Sequence, residues 1–159
     1  MIELCLLRHA QAGDRDTWDA PDELRPLTEK GRRQAERLGR HLAAAGYMPD
    51  AIITSPLTRA RETAEIVAGI LGLDPLVEPR LGEALDLDTV DEILADAGDP
   101  RRPILVGHDP DFTELATELV GGGPILMRKG ALARIDVERP LSPGAGELRW
   151  LLPPDLLRG

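Results

Sequence analysis

Leu4-Cys5-Leu6-Leu7-Arg8-His9-Ala10 runs apolar and then turns abruptly polar at Arg8. The run is too short for a helix and does not alternate, so it reads as a strand buried on both faces of a parallel sheet. Ile104-Leu105-Val106-Gly107-His108 repeats the pattern and again closes on histidine, and Asp109-Pro110 then leads into helical spacing. Open parallel sheets carry their ligands beyond the carboxyl ends of the strands, which would deliver His9 and His108 to one edge. Ala51-Ile52-Ile53-Thr54-Ser55 is a third such run; Ser55 is placed to cap the next helix and Pro56 suits its first position. Arg59 then falls in the first turn, where unpaired backbone amides favour an anion.

Around these runs, apolar residues recur at helical spacing. Ala35, Leu38, Leu42 and Ala45 follow a Thr28 cap and stop at Gly46, and Ala60, Ala64, Val67 and Leu71 stop at Gly72. Val90, Ile93, Leu94 and Ala97 mark a third helix. Phe112, Leu115, Ala116 and Leu119 mark a fourth, opened by Asp111 with Glu114 three residues on, a capping-box arrangement. Strands are expected at residues 2–8, 51–55, 76–81 and 103–107, and their alternation with helices implies a mostly parallel sheet covered on both faces. Ala131, Ala133, Ile135 and Val137 alternate with more polar residues, as do Leu148, Trp150 and Leu152, which adds two strands, at least one antiparallel. The expected fold is therefore an α/β three-layer αβα sandwich of about six strands. With no repeat or linker, residues 1–159 read as a single domain.

At 159 residues and 42% hydrophobic content the chain can bury one core. Cys5 is the single cysteine, so no intramolecular disulfide can form, which fits a reducing cytoplasm. The start lacks the basic region of a signal peptide, and no apolar stretch approaches the ~20 residues that span a bilayer, so a cytoplasmic protein without membrane contact is expected. The net charge of −9 argues against nonspecific nucleic-acid binding. Positive charge is concentrated at Arg8, Arg25, Arg32, Arg33, Arg59 and Arg61, although Arg32 and Arg33, with Arg37 and Arg40, also fit a solvated helix face. Three histidines without ligand spacing and no cysteine cluster make a zinc site improbable. The run Gly121-Gly122-Gly123 lacks the strand-to-helix setting of a nucleotide fingerprint, and no cofactor is expected.

Leu7-Arg8-His9-Ala10, Ser55-Pro56-Leu57-Thr58-Arg59-Ala60-Arg61-Glu62-Thr63-Ala64 and Val106-Gly107-His108 stand in an order that resembles the histidine phosphatase superfamily, with its phosphoglycerate-mutase-like fold. The likeness continues through Arg25-Pro26-Leu27-Thr28-Glu29-Lys30-Gly31 and Gly146-Glu147-Leu148-Arg149-Trp150-Leu151-Leu152, so it covers nearly the whole chain. Short length and the Arg-Pro-Leu-Thr segment look most like the phosphohistidine phosphatase SixA branch. Ala10 stands where many members carry glycine.

The resemblance implies His9 as the nucleophile of a metal-independent, two-step hydrolysis through phosphohistidine. A neutral imidazole, with an ordinary pKa of ~6.5, needs no dedicated base to attack. Arg8, Arg59 and His108 are expected to hold the phosphate oxygens, since fixed cationic donors supply most of the catalysis of phosphoryl transfer. Each has a bland competitor: a histidine at a strand end can simply bond a neighbouring loop, and Arg59 can pair with Glu62 or Glu65. Glu83 occupies the region where the superfamily supplies a proton donor and is the expected general acid; Asp86, Asp88 and Asp109 are weaker candidates, and Asp109 can instead cap the helix after His108.

Only about thirty residues separate the second helix from the His108 strand, too few for a helical cap over the pocket. A shallow pocket suits a phosphorylated side chain on another protein, such as a histidine phosphotransfer domain. Segment 13–22 would border its entrance, with Trp18 either touching a partner or anchoring its own loop. The competing readings are a phosphatase for small phosphate esters and a binding module that recognises phosphate without turnover.

Overall fold

The computed structural model describes residues 1–157. Six strands form one sheet: β1 (Ile2–Arg8), β2 (Ala51–Thr54), β3 (Leu76–Val77), β4 (Pro103–Gly107), β5 (Leu132–Val137) and β6 (Glu147–Leu152), in the order β3-β2-β4-β1-β5-β6. The first four run parallel, whereas β5 is antiparallel to β1 and β6 antiparallel to β5. Four helices cover the sheet: α1 (Glu29–Ala44), α2 (Thr58–Leu71), α3 (Leu87–Asp96) and α4 (Asp111–Val120).

Alternate residues of β1 serve opposite cores, because successive side chains of a strand point to opposite faces. Cys5 and Leu7 pack with Ala35, Leu38 and Leu42 of α1 and Ala64 and Val67 of α2. Leu4 and Leu6 pack with Val90, Ile93 and Leu94 of α3 and Phe112, Leu115 and Leu119 of α4. Both faces of β1 are thus fully buried, which is why its sequence reads as an unbroken apolar run.

These two layers place the site. After β1 the chain leaves toward α1 on one face, and after β4 it leaves toward α4 on the other, although β1 and β4 are neighbours in register from Cys5↔Ile104 to Arg8↔Gly107. Two adjacent parallel strands whose chains depart to opposite faces leave a crevice at their carboxyl ends. His9 and His108, the residues that follow these strands, stand at that crevice.

Three local expectations need correction. The strand expected at residues 76–81 ends at Val77, because Pro79 has no N–H for the ladder and opens a 3₁₀ turn, Pro79–Gly82, which the Glu78 carboxylate caps at the Arg80 N–H (2.8 Å). Helix α2 starts at Thr58 with Leu57 as its N-cap, so Pro56 precedes the helix; the Ser55 hydroxyl accepts from the Leu57 N–H (3.2 Å) and also meets His108. In α4 no Asp111–Glu114 capping box forms, and the Asp109 carboxylate accepts instead from the Thr113 N–H (3.1 Å). Thr28 does cap α1, accepting from the Gly31 N–H at 3.1 Å.

Candidate active site

A cavity of about 450 Å³ opens at the carboxyl ends of β1 and β4. It is lined by Arg8, His9, Arg59 and His108, and also by Arg25, Asp109, Lys129 and the segment from Gln11 to Arg15. The expected quartet is therefore brought together. Glu83 is exposed just after the 3₁₀ turn and does not line the cavity. Asp86 caps α3 through the Thr89 N–H (2.8 Å), and exposed Asp88 lies in the first turn of α3, so neither reaches the cavity.

His9 is 5% exposed, and its backbone N–H donates to the Gly107 carbonyl (3.0 Å), which extends the β1–β4 ladder by one residue. Its Nδ1 lies 2.7 Å from the Ala10 carbonyl oxygen. A carbonyl can only accept, so Nδ1 carries the proton and Nε2 carries the lone pair. The Ala10 N–H donates to Thr63 Oγ1 (3.1 Å), and that hydroxyl donates to the Arg59 carbonyl (2.7 Å), which ties the loop after β1 to the first turn of α2. Ala10 has no positive φ, so alanine in place of glycine costs this turn nothing.

The His108 ring stands 5.3 Å from that of His9, tilted by 53°, with Nε2 at 2.7 Å from Ser55 Oγ. Burial, then the positive charges around the cavity, hold both rings neutral: the pKa of His9 is lowered to about 3 and that of His108 to about 4. An unfolded chain protonates both rings as pH drops past ~6.5, whereas the folded chain leaves them neutral to much lower pH. Each proton taken up then favours unfolding. Their contribution to stability is complete above pH ~6.5 and is lost as pH falls from there toward about 4. Thermal melts at pH 7 and pH 4.5 in phosphate-free buffer should show a smaller drop in Tm for His9→Ala than for the wild type; an equal drop would remove His9 as a contributor.

Arg59 is 5% exposed and pairs with neither Glu62 nor Glu65. It donates to the Asp22 carbonyl (3.0 Å) and carboxylate (3.2 Å), and Arg25 meets the same carboxylate at 3.0 Å. Asp22 belongs to the segment expected to border the entrance, and Trp18 anchors that segment to itself by donating from Nε1 to the Pro21 carbonyl (3.0 Å). Glu62 clamps the other side, accepting from the Leu27 N–H (2.9 Å) and pairing with Arg32. Arg32, Arg33 and Arg61 therefore stand outside the cavity in ion pairs, while Arg8, Arg25 and Arg59 face into it. Arg8 donates to the Met127 carbonyl (2.9 Å) and lies 3.5 Å from Asp109.

Buried polar atoms are rarely left unpartnered. Here Arg8 Nε, Arg59 Nε, His108 Nδ1 and Gln11 Oε1 are all buried without a partner, on four residues that line one cavity. Two guanidinium donors without acceptors describe a site shaped for an anion. Among the described residues no group of three or more His, Cys, Asp or Glu side chains is placed to hold a metal ion, and no helix is long and apolar enough to cross a membrane.

Lys129 was not singled out from sequence. It reaches the cavity because β5 runs antiparallel to β1, so the residues before β5 arrive beside those after β1, and the Gly130 N–H donates to the carbonyls of Arg8 and His9 (3.0 and 2.9 Å). Two adjacent cations and a glycine ahead of an antiparallel neighbour of β1 were the available signal.

Residues 4–102 match the family model described as histidine phosphatase superfamily (branch 1). An uncharacterized protein of Picosynechococcus sp. (strain PCC 7002) is 36% identical over 96% of this chain and all of its own length. A probable phosphoglycerate mutase, GpmB, of Cronobacter sakazakii is 35% identical over 70% of this chain, which spans only 53% of that protein. Among solved structures, a protein histidine phosphatase SixA complexed with tungstate superposes with a TM-score of 0.83 at 24% identity, over 97% of this chain and 98% of that one.

Proposed function

This chain belongs to the histidine phosphatase superfamily, and from that premise we propose that it hydrolyses phosphohistidine on a partner protein through a covalent intermediate on His9. The observation that carries the reading is the unprotonated Nε2 of His9, fixed by the Nδ1–Ala10 bond in a cavity whose arginine Nε donors lack acceptors.

Nε2 attacks phosphorus opposite the leaving nitrogen; the P–N bond to the substrate imidazole breaks as the new P–N bond forms, and that imidazole takes up a proton on departure. Water then attacks phospho-His9, giving inorganic phosphate and the free ring. Arg8 and Arg59 hold the equatorial oxygens in both steps, where charge accumulates, and His108 joins them when its Nε2 turns from Ser55 to donate to the phosphoryl group. For the oxygens to reach Arg59, its pairing with the Asp22 carboxylate has to be shared with them or loosened.

The open cavity supports a protein substrate. Between α2 and β4 stand only β3, the 3₁₀ turn and α3, so no helical cap is inserted there to close over a small ligand. An imidazole leaving group needs far less protonation than an alkoxide, so a reaction at phosphohistidine tolerates a site in which Glu83 is exposed outside the cavity. Because its side chain lies outside the cavity, Glu83→Gln should leave turnover of phosphohistidine and of alkyl phosphates alike within about threefold of wild type; selective slowing of alkyl phosphates would place Glu83 at the leaving group.

Rapid-quench kinetics with a labelled phosphohistidine carrier protein tests the whole reading. Acid-labile label should appear on the wild type and then be released as phosphate. No label and no release would favour small phosphate esters, the reading that the mutase relative supports.

A further inference from the structure

Beside the catalytic cavity, and sharing Arg8, Gln11 and Lys129 with it, lies a second groove of about 330 Å³. Lys30, Gln34, Arg128, Pro154 and Asp155 complete its lining. In a chain of net charge −9 most cations have a carboxylate close by. Among the described residues five lysines and arginines, Lys30, Arg37, Arg101, Arg128 and Lys129, have none within 4.0 Å. Three of these five line this one groove.

Stability does not account for their positions. Lys30 sits in the first turn of α1, where the helix dipole disfavours a cation, and only two residues after the Thr28 cap. Lys129 shares its surroundings with Arg8, Arg25 and Arg59; partial burial and then those charges pull its ammonium below the ordinary lysine range. Asp155 is the one carboxylate in the groove and lies within 4.0 Å of none of Lys30, Arg128 and Lys129; like charges gathered with so little counter-charge raise the energy of the free protein, and an anion seated among them recovers it. A phosphoryl group on His9 answers the cavity on its own side, which leaves Lys30 and Arg128, absent from the cavity lining, without a role in that chemistry.

We propose that this groove is a subsite for a second anion on the substrate, a carboxylate carried beside the transferring phosphoryl group, with Lys30 and Arg128 selecting substrates that bear one. The inference rests on the phosphatase reading for the first anion. It narrows the substrate to a doubly anionic ligand, either a phosphohistidine flanked by an acidic side chain or a small phosphorylated acid. Lys129, which lines both spaces, is the bridge between them.

Calorimetric titration of the wild type and of the double variant Lys30→Gln/Arg128→Gln tests it, using inorganic phosphate, 3-phosphoglycerate and two peptides with a non-hydrolysable phosphohistidine mimic, one flanked by aspartate and one by alanine. Phosphate should bind both proteins alike, which controls for the general loss of positive charge. A doubly anionic probe should lose about tenfold or more in affinity for the variant, the scale of one charge-assisted contact. Loss on the aspartate peptide assigns a protein carboxylate, and loss on 3-phosphoglycerate assigns a small acid; either supports the subsite. Equal affinities of the two proteins for every probe, or parallel losses on phosphate and on the alanine peptide, overturn it. A wild type that discriminates among the probes yet leaves a phosphohistidine carrier intact would retain the subsite and refute the catalytic reading.

Discussion

His9→Ala is expected to lower turnover of phosphohistidine at least about a thousandfold, with no label trapped on the enzyme, while changing stability by no more than about 1 kcal/mol. The activity loss follows from chemistry that no neighbour can replace. His108 is the other ring in the cavity, but its Nε2 is engaged by Ser55 and its Nδ1 is buried, so it cannot take over the attack. The arginines would still bind the phosphate. The small effect on stability follows from compensation: the variant loses the Nδ1–Ala10 bond and also the cost of keeping a polar ring desolvated. Quench-flow kinetics and thermal melts on the same samples check both halves. Turnover within tenfold of wild type would falsify the nucleophile assignment.

Gly31→Ala should be the most damaging conservative change outside Arg8, His9, Arg59 and His108. A Cβ at position 31 would stand 2.0 Å from the Gln11 carbonyl oxygen and 2.9 Å from its carbon, so backbone would have to yield rather than a flexible side chain. That carbonyl also accepts from the Thr28 N–H (3.0 Å) and hydroxyl (3.3 Å), so the displacement would break the ties between the loop after β1 and the start of α1. A cost of about 2–4 kcal/mol is expected, read as a drop in Tm of roughly 5–15 °C. Gln11 lies two residues from His9, and a shift near 1 Å at a nucleophile can cost about a hundredfold in rate. Gly69→Ala is the control. Nothing lies within 4 Å of its Cβ, and it sits inside α2, so it should raise stability by about 0.5–1 kcal/mol and leave activity alone. If both variants melt like the wild type, the close approach of α1 to the Gln11 backbone is not rigid.

Much of the fold was legible because burial on both faces leaves a plain mark. β1 and β4 each read as an apolar run closing on histidine, and from parallel pairing alone both rings belong at one edge. The elements that misled were those whose polar groups had two possible uses. Ser55 looks like a helix cap, but it stands at a strand end where its hydroxyl meets His108, so the helix begins later. Asp111 and Glu114 have the spacing of a capping box, yet Asp109 does the capping from outside the helix. The stretch at 76–81 has the composition of a strand, and Pro79 ends it early.

At the site, the arginine count gave the character of the pocket but not its membership. Arg25, Arg32, Arg33 and Arg61 look equivalent in sequence; pairing with Asp22 keeps Arg25 at the cavity, whereas Glu62, Glu29 and Glu65 hold Arg32, Arg33 and Arg61 outside it. Lys129 went unread for a different reason: its place depends on the antiparallel entry of β5, a register no local pattern records.

That entry of β5 also divides the molecule's labour. His9 and His108 hang on β1 and β4, whose spacing is fixed by a backbone ladder. The residues ahead of β5 touch the same opening from a loop tied to α4 through Thr113 and Thr117 and to β1 through the Gly130 amide. Arg128 and Lys129, exposed at the tip of that loop, can therefore change while the β1–β4 edge stays intact, so a lineage carrying this architecture can alter what reaches the opening without moving the two histidines that meet there.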